Sequence, residues 1–239
     1  MGDQLVEVKL PRVEIDSKKV EAFQSRIIKW HSQNGRNFPW RETSSPFHVL
    51  IAEILLKLTG ARKVIRVYPI VVERFGTPKT MAEANTQELI KLFKPLGLTK
   101  RAYLLKEISS TLICRFKEAV PSTYEELINI RGIGNYTANA ILCLAFHKRT
   151  PLVDGSTSRI FSRCFQYFSD KPAYADKRLW ELAEKLLPKY GYREYNLGLL
   201  DLGAAVCKYP NPYCSECPIT NICDNFNGES ISMKSLIQC

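Results

Sequence analysis

Apolar residues recur at helical spacing along almost the whole chain. After Asp16, which can cap a helix, Val20, Phe23, Ile27 and Trp30 follow at intervals of three or four residues. This spacing places the side chains on one face of a helix that packs against a core. Only residues 5–10 alternate, weakly, like a strand. The pattern therefore predicts an all-α fold, with further helices over about 47–58, 62–75, 86–93, 100–116, 135–146, 156–167, 175–187 and 192–206.

Length and charge narrow the classes of protein that this helical chain can be. Its 239 residues suffice for one large core or two modest ones. The 34 basic residues exceed the 24 acidic ones, and the net charge of +10 suits a polyanionic partner or a merely well-solvated basic surface. No apolar run is long enough for a membrane span, and the first residues lack the pattern of a secretory signal. We therefore expect a cytoplasmic protein with no membrane partner.

Residues 127–141 predict two helices joined by a tight turn that could hold a phosphate. Gly132 and Gly134 allow backbone angles that other residues resist, and Ile133 between them can insert into the core. A turn without bulky side chains exposes its N–H groups, and the next helix adds the positive end of its dipole. The alternative is an ordinary connection between two helices that binds nothing.

Four cysteines fall within 17 residues, as Cys207-x6-Cys214-x2-Cys217-x5-Cys223. Without an export signal, metal ligation is favoured over disulfides. Four thiolates are the usual ligands of a [4Fe–4S] cluster. A zinc site is the alternative, but such sites commonly use two close cysteine pairs and this spacing contains one. Three other cysteines lie in apolar helical stretches and are predicted to be core thiols, at positions 114, 143 and 164.

Two carboxylates stand out from their surroundings. Glu53 lies in the apolar stretch 51–56, where a carboxylate is costly unless it is paired or functional. Burial would raise its pKa and make it a proton donor, whereas an exposed position on the helix would make it unremarkable. Asp154 comes directly before a predicted helix. From the residues alone, the favoured role of Asp154 is that of a helix N-cap.

The hairpin followed by this cysteine spacing resembles the helix–hairpin–helix (HhH-GPD) DNA glycosylase superfamily, in its iron–sulfur branch. Over residues 25–225 the chain is similar to the MutY and archaeal thymine–DNA mismatch glycosylase side of that branch. The blocks that carry the resemblance are Phe38-Pro-Trp-Arg41, Pro46-Phe-His-Val-Leu-Ile-Ala-Glu53, Leu96-Gly-Leu, Leu152-Val-Asp154-Gly and Tyr195-Asn196-x4-Asp201-Leu-Gly203.

The resemblance implies two helical domains with a DNA-binding cleft between them. Residues 31–148 would form a six-helix domain that carries the helix–hairpin–helix motif. Residues 1–30 and 149–225 would form the iron–sulfur cluster domain, and 226–239 a flexible tail. The expected partner is double-stranded DNA with a mismatched or damaged base, bound by a monomer associated with the nucleoid.

The resemblance also assigns chemistry to three residues. Asp154 would stabilise the positive charge that develops on the sugar, and Glu53 would protonate the departing base. Tyr136 occupies the position where the endonuclease III branch has a lysine that forms a Schiff base. Since a phenol cannot form one, the resemblance implies a monofunctional glycosylase without strong strand-cutting (AP lyase) activity.

Other residues are expected to contact DNA. Leu58 would be the wedge that replaces an extruded base, although a leucine here could also be simple core. Lys57 would contact a phosphate or a base edge, Arg41 would contribute to binding, and the hairpin would grip the backbone. The residue two after Asp154 is often Asn in the relatives and is Ser156 here. This departure puts the fine positioning around Asp154 in doubt.

The residues do not decide which base is excised or which base lies opposite it. The first alternative is thymine or uracil opposite guanine, and the second is adenine opposite guanine or 8-oxoguanine. The adenine enzymes carry a further C-terminal domain, which the printed sequence lacks after Cys223, so we expect the first. A modified-base glycosylase is a third alternative. A DNA-binding iron–sulfur redox sensor is a fourth, which loss of Asp154 or Glu53 would have favoured, but both are present.

Overall fold

The computed structural model describes residues 16–97 and 99–226, and the regular secondary structure within them is entirely helical. The prediction of an all-α fold is confirmed for this part of the chain. The strand-like stretch 5–10 lies outside the described residues, as does the predicted tail beyond residue 226. None of the described helices combines the length and the apolar character that crossing a membrane requires.

Twelve α-helices follow one another through the described residues. Short 3-10 turns cover Lys94–Leu96, Cys214–Glu216 and Thr220–Ile222. The helices are α1 (Ser17–Asn34), α2 (Pro39–Glu42), α3 (Pro46–Leu56), α4 (Ala61–Phe75), α5 (Pro78–Glu83), α6 (Thr86–Phe93), α7 (Lys100–Phe116), α8 (Tyr124–Ile128), α9 (Asn135–Leu144), α10 (Gly155–Phe165), α11 (Lys177–Leu186) and α12 (Tyr192–Ala205).

Local signals explain where most of these helices begin. Asp16 caps α1 as predicted, by accepting a hydrogen bond from the Lys18 N–H. Proline occupies the first position of α2, α3 and α5, where its missing N–H costs nothing. The periodic pattern did not predict α2 and α5, because four and six residues are too few to show a helical period.

The buried apolar side chains form two clusters. The first core holds side chains of α2 to α9 together with Leu197 of α12, and the second holds those of α1, α10, α11 and α12. The connector between α9 and α10 crosses from one to the other, since Leu152 belongs to the first core and Val153 to the second. Asp154 therefore emerges where the two cores meet. The predicted bounds of two domains stay a prediction.

One prediction about the core is wrong. Cys143 and Cys164 are buried as expected, but Cys114 is exposed. The inward face of α7 is formed by Leu105, Ile108 and Leu112. Cys114 lies two residues after Leu112, which corresponds to about 200° around a helix. It therefore points away from the core despite its apolar neighbours in sequence.

Polar side chains of α12 anchor the segments that approach the boundary between the cores. The Asn196 amide donates to the Thr150 carbonyl at 2.9 Å and accepts from the Leu152 N–H at 3.1 Å, which fixes the connector just before Asp154. Asp201 is fully buried and accepts two hydrogen bonds from the Arg41 guanidinium, at 2.7 and 2.9 Å. It also binds Arg36 through the backbone N–H and Nε, at 2.8 and 2.6 Å.

Burial alone would raise the pKa of Asp201, but the hydrogen bonds and positive charge of Arg41 and Arg36 hold this pKa below its usual value. The carboxylate therefore stays charged and keeps residues 36–41 against α12.

Candidate active site

A cavity of about 720 Å³ has walls from both sides of the boundary between the cores. Glu53 of α3 and Tyr136 of α9 line it on the side of the first core. Asp154, at the start of α10, lines it on the side of the second. The structure thus brings together the three side chains that the resemblance assigned to catalysis, although they lie far apart in sequence.

Glu53 is buried in the wall of this cavity, with 6% of its surface exposed. The alternative of an exposed helix position is therefore wrong. Burial raises the pKa of Glu53 to about 7, and the nearby Asp154 charge acts in the same direction while Lys57 and Arg41 oppose it. A carboxyl group with this pKa is populated as the acid near neutral pH, so it can donate a proton to a bound ligand.

Asp154 serves as a helix cap and as part of the cavity wall at once. One oxygen, Oδ1, accepts a hydrogen bond from the Thr157 N–H at 2.8 Å, so the N-cap interpretation is correct. The side chain is only half-buried and faces the cavity. Capping fixes the orientation of the carboxylate. Capping α10 and lining the cavity are therefore compatible for this one side chain.

Tyr136 contributes a half-buried phenol near both carboxyl groups. Burial raises the pKa of Tyr136 well above its ordinary value, and the charges of Glu53 and Asp154 add to this effect. The phenol therefore stays neutral and can donate a hydrogen bond. It supplies no amine to the cavity.

The turn after α3 presents an unpacked leucine at the cavity. Helix α3 ends at Leu56, two residues earlier than predicted, and Leu58 adopts a left-handed φ of 54°. The Leu58 side chain is 96% exposed, so the alternative that it belongs to the core is wrong. Lys57 instead turns inward and donates from Nζ to the Gly132 carbonyl at 2.7 Å. The lysine ties this turn to the hairpin, and its predicted DNA contact stays a prediction.

The hairpin between α8 and α9 uses its residues in different ways. Gly132 has a left-handed φ of 90°, which strains any residue with a side chain, and a Cβ there would also displace Leu104 Cδ1 from 2.4 Å. Ile133 is buried in the first core, as predicted. Gly134 is exposed, and a Cβ there would meet no protein atom within 4 Å. The first N–H groups of α9 have no acceptor within the helix, and Gly134 has no side chain to cap them. The turn therefore leaves donors open to an approaching anion.

Arg41 lines the cavity, but its guanidinium is held by Asp201 and its side chain is only 9% exposed. The structure gives it a clear positioning role, while its predicted DNA contact stays a prediction. Sequence reasoning missed the roles of Asn196 and Asp201. Both are polar residues within the otherwise largely apolar stretch 195–205 of α12, and that signal could have marked them as buried anchors.

The four clustered cysteines line one small cavity beside the second core. Its other walls include Ile160, Val206 and Ile219. Arg163 donates from Nη1 to the sulfur of Cys207 at 3.3 Å. Within residues 16–97 and 99–226, no three His, Cys, Asp or Glu side chains are arranged to hold a metal ion.

Several known proteins are similar to this chain in sequence and in fold. A family model described as HhH-GPD superfamily base excision DNA repair protein matches residues 51–185. The thymine-DNA glycosylase of Aeropyrum pernix is 34% identical, over 90% of this chain and 99% of that protein. The thymine/uracil-DNA glycosylase of Methanothermobacter thermautotrophicus is also 34% identical, over 88% and 96%.

An adenine DNA glycosylase of Mycobacterium tuberculosis is 32% identical, over 82% of this chain but 65% of that protein. The solved structure of a thermostable thymine-DNA glycosylase superposes with a TM-score of 0.84, at 34% identity over 88% of this chain and 98% of that one. The resemblance to the HhH-GPD superfamily and to its thymine-DNA and adenine glycosylases is thus confirmed, and the chain belongs to the HhH-GPD superfamily of base excision DNA repair proteins.

Proposed function

We propose that this protein is a monofunctional DNA glycosylase that removes thymine or uracil opposite guanine. The observation that carries the proposal is that Glu53 and Asp154 face one cavity from opposite sides of the boundary between the cores. The volume of about 720 Å³ lies in the range of small-molecule pockets and accommodates a single nucleotide. A glycosylase needs two carboxyl groups beside the bound nucleotide, because cleavage of the glycosidic bond leaves positive charge on the sugar and negative charge on the base.

The surface around the cavity suits an approaching duplex. Leu58 projects into solvent at the rim and can fill the gap that an extruded base leaves in the stack. Arg62, Lys63 and Arg66 are exposed on the first two turns of α4, directly after the turn that carries Leu58. Together with the open N–H groups of the hairpin, these cations would hold phosphates without reading sequence.

The reaction breaks the bond between sugar C1′ and the base nitrogen. The bonding electron pair leaves with the base, and Glu53 donates a proton to that base. Asp154 stabilises the positive charge that develops at C1′, where water then adds and leaves a proton to solvent or to a carboxylate. The products are the free base and an abasic site. Tyr136 provides no amine, and the Lys57 amine in the same cavity donates to the Gly132 carbonyl at 2.7 Å, so we expect no strong strand cleavage through a Schiff base.

Thymine or uracil is favoured by the relatives that match this chain over nearly their whole length. Adenine opposite guanine or 8-oxoguanine is the second candidate, supported by the 32% identity to an adenine DNA glycosylase. A purely DNA-binding sensor would have no use for a buried acid and a carboxylate in one cavity.

We also propose that the cysteines at 207, 214, 217 and 223 hold a [4Fe–4S] cluster. All four thiols line one cavity whose remaining walls are largely apolar, and four thiolates are the usual ligand set of such a cluster. The hydrogen bond from Arg163 to Cys207 would stabilise a thiolate ligand there. The cluster would join the segment 207–223 to the second core.

Asp154→Asn should retain DNA binding but lose roughly 100-fold or more in excision rate, because the amide lacks the charge that opposes the developing cation. The measurement is abasic-site formation in single-turnover assays on duplexes with T, U or A opposite G and A opposite 8-oxoguanine. The wild type should cleave the T and U duplexes. Cleavage of only the adenine duplexes would select the second candidate, and normal turnover by Asp154→Asn would refute the role of Asp154.

The excision rate should depend on the protonation of Glu53. Because the pKa of Glu53 is raised to about 7, the acid form is populated below that pH and is lost above it. The single-turnover rate should therefore fall as pH rises through about 7. Glu53→Gln should lower the rate by about 100-fold or more and abolish this dependence. A wild-type rate that stays constant from pH 6 to 8.5 would contradict a proton donated by Glu53.

Two substitutions should distinguish binding of the DNA backbone from extrusion of the mismatched base. Gly134→Asp places negative charge where a phosphate must approach, so it should weaken binding to matched and mismatched duplexes alike. Leu58→Ala should instead narrow the gap in affinity between mismatched and matched DNA and leave the salt dependence unchanged. Neither site packs against protein, so neither variant should melt below the wild type. Normal binding by Gly134→Asp would mean that the hairpin is not the DNA clamp.

Purified under anaerobic conditions, the protein should be brown, absorb broadly near 400 nm and contain about four irons per chain. Cys217→Ser should lose iron and stability, because one of the four ligands is gone. The matched control is Cys114→Ser, which changes an exposed cysteine on α7 and should keep the full iron content. Stoichiometric zinc without iron would identify a different metal site.

A further inference from the structure

A second exposed side chain besides Leu58 lines the cavity that contains the proposed catalytic residues. Tyr174 lies in the loop between α10 and α11 and is 72% exposed. Within residues 16–97 and 99–226, Leu58 and Tyr174 are the large exposed apolar side chains that line this cavity. Exposed aromatic residues elsewhere on the surface, such as Tyr190 at 77%, do not line it. Tyr174 is therefore singled out by position as well as by exposure.

The backbone around Tyr174 is held on both sides. The Ala173 carbonyl accepts a hydrogen bond from the Trp180 indole at 3.0 Å, and the Ala175 N–H donates to the Pro172 carbonyl at 2.9 Å. Asp176 accepts from the Tyr167 hydroxyl at 2.8 Å and caps α11. These contacts fix where the ring is attached, while the ring itself stays unpacked. Because the loop backbone is already held in place, it would lose little conformational entropy when the ring contacts a ligand.

We propose that Tyr174 stacks on the extruded pyrimidine and closes the open side of the cavity over it. An aromatic ring gives a base a flat apolar partner, which suits any base because every base has such a face. Tyr174 would thus retain the base while Glu53 and Asp154 act on the bond. Tyr174 would therefore favour the binding of a nucleotide that has left the duplex over one that stays stacked within it. This inference rests on the proposed glycosylase function.

The test measures binding to two duplexes that the enzyme cannot cleave. In one, a 2′-fluoro thymidine lies opposite guanine, and in the other a tetrahydrofuran abasic analogue replaces that thymidine. Tyr174→Ala should weaken binding to the first duplex about tenfold or more and leave binding to the second unchanged, since the second has no base to stack. Tyr174→Phe keeps the ring and should bind both like the wild type. The matched control Tyr190→Ala should also bind both normally.

Other results would overturn the inference. Unchanged affinity of Tyr174→Ala for the thymidine duplex would show that the ring does not contact the base. An equal loss on both duplexes would place Tyr174 against the DNA backbone instead. If Tyr174→Ala melts earlier than the wild type, Tyr174→Leu decides, because it keeps apolar bulk without a flat ring and should still lose affinity. A wild type that forms no abasic site at any T or U would instead refute the proposed function.

Discussion

A carboxyl group buried in a cavity wall must be neutral or be balanced by nearby charge, and Glu53 combines both conditions. Apolar neighbours on α3 place it at the edge of the first core, and burial raises its pKa to about 7. Lys57 and Arg41 limit that rise. The position is costly for folding, since an apolar residue would pack there without desolvating a charge. A buried carboxyl group with a raised pKa in a cavity is typical of a functional site, in keeping with the proton donation proposed for Glu53.

The rest of the site depends on how the second core presents Asp154 to Glu53. The connector passes from the first core to the second between Leu152 and Val153, and Asn196 holds its backbone by two hydrogen bonds. The N-cap bond to Thr157 then fixes the carboxylate. One residue thus caps α10 and supplies the carboxylate to which the proposed mechanism assigns charge stabilisation.

The long helices and the unusual carboxylate at Glu53 could be predicted from sequence, because both depend on residues that are near neighbours along the chain. The amphipathic periods predicted the long helices, and Glu53 stood out because a carboxylate is unusual in an apolar stretch. Asp154 before a helix predicted only an N-cap, and the resemblance supplied its catalytic role. The partners of Arg41 and Lys57 could not be predicted, because Asp201 and Gly132 lie 160 and 75 residues away. Nothing in the sequence around Tyr174 indicates that its loop reaches the cavity.

The central claim is that the cavity shared by Glu53 and Asp154 receives an extruded pyrimidine. A crystal structure of Asp154→Asn bound to a duplex with a single G·T mismatch tests it most directly, because the variant should bind without cleaving. The account predicts the thymine inside the cavity, within hydrogen-bond distance of the Glu53 carboxyl, and Leu58 in the gap left in the duplex. A thymine that stays stacked, or that occupies another surface of the protein, would contradict it.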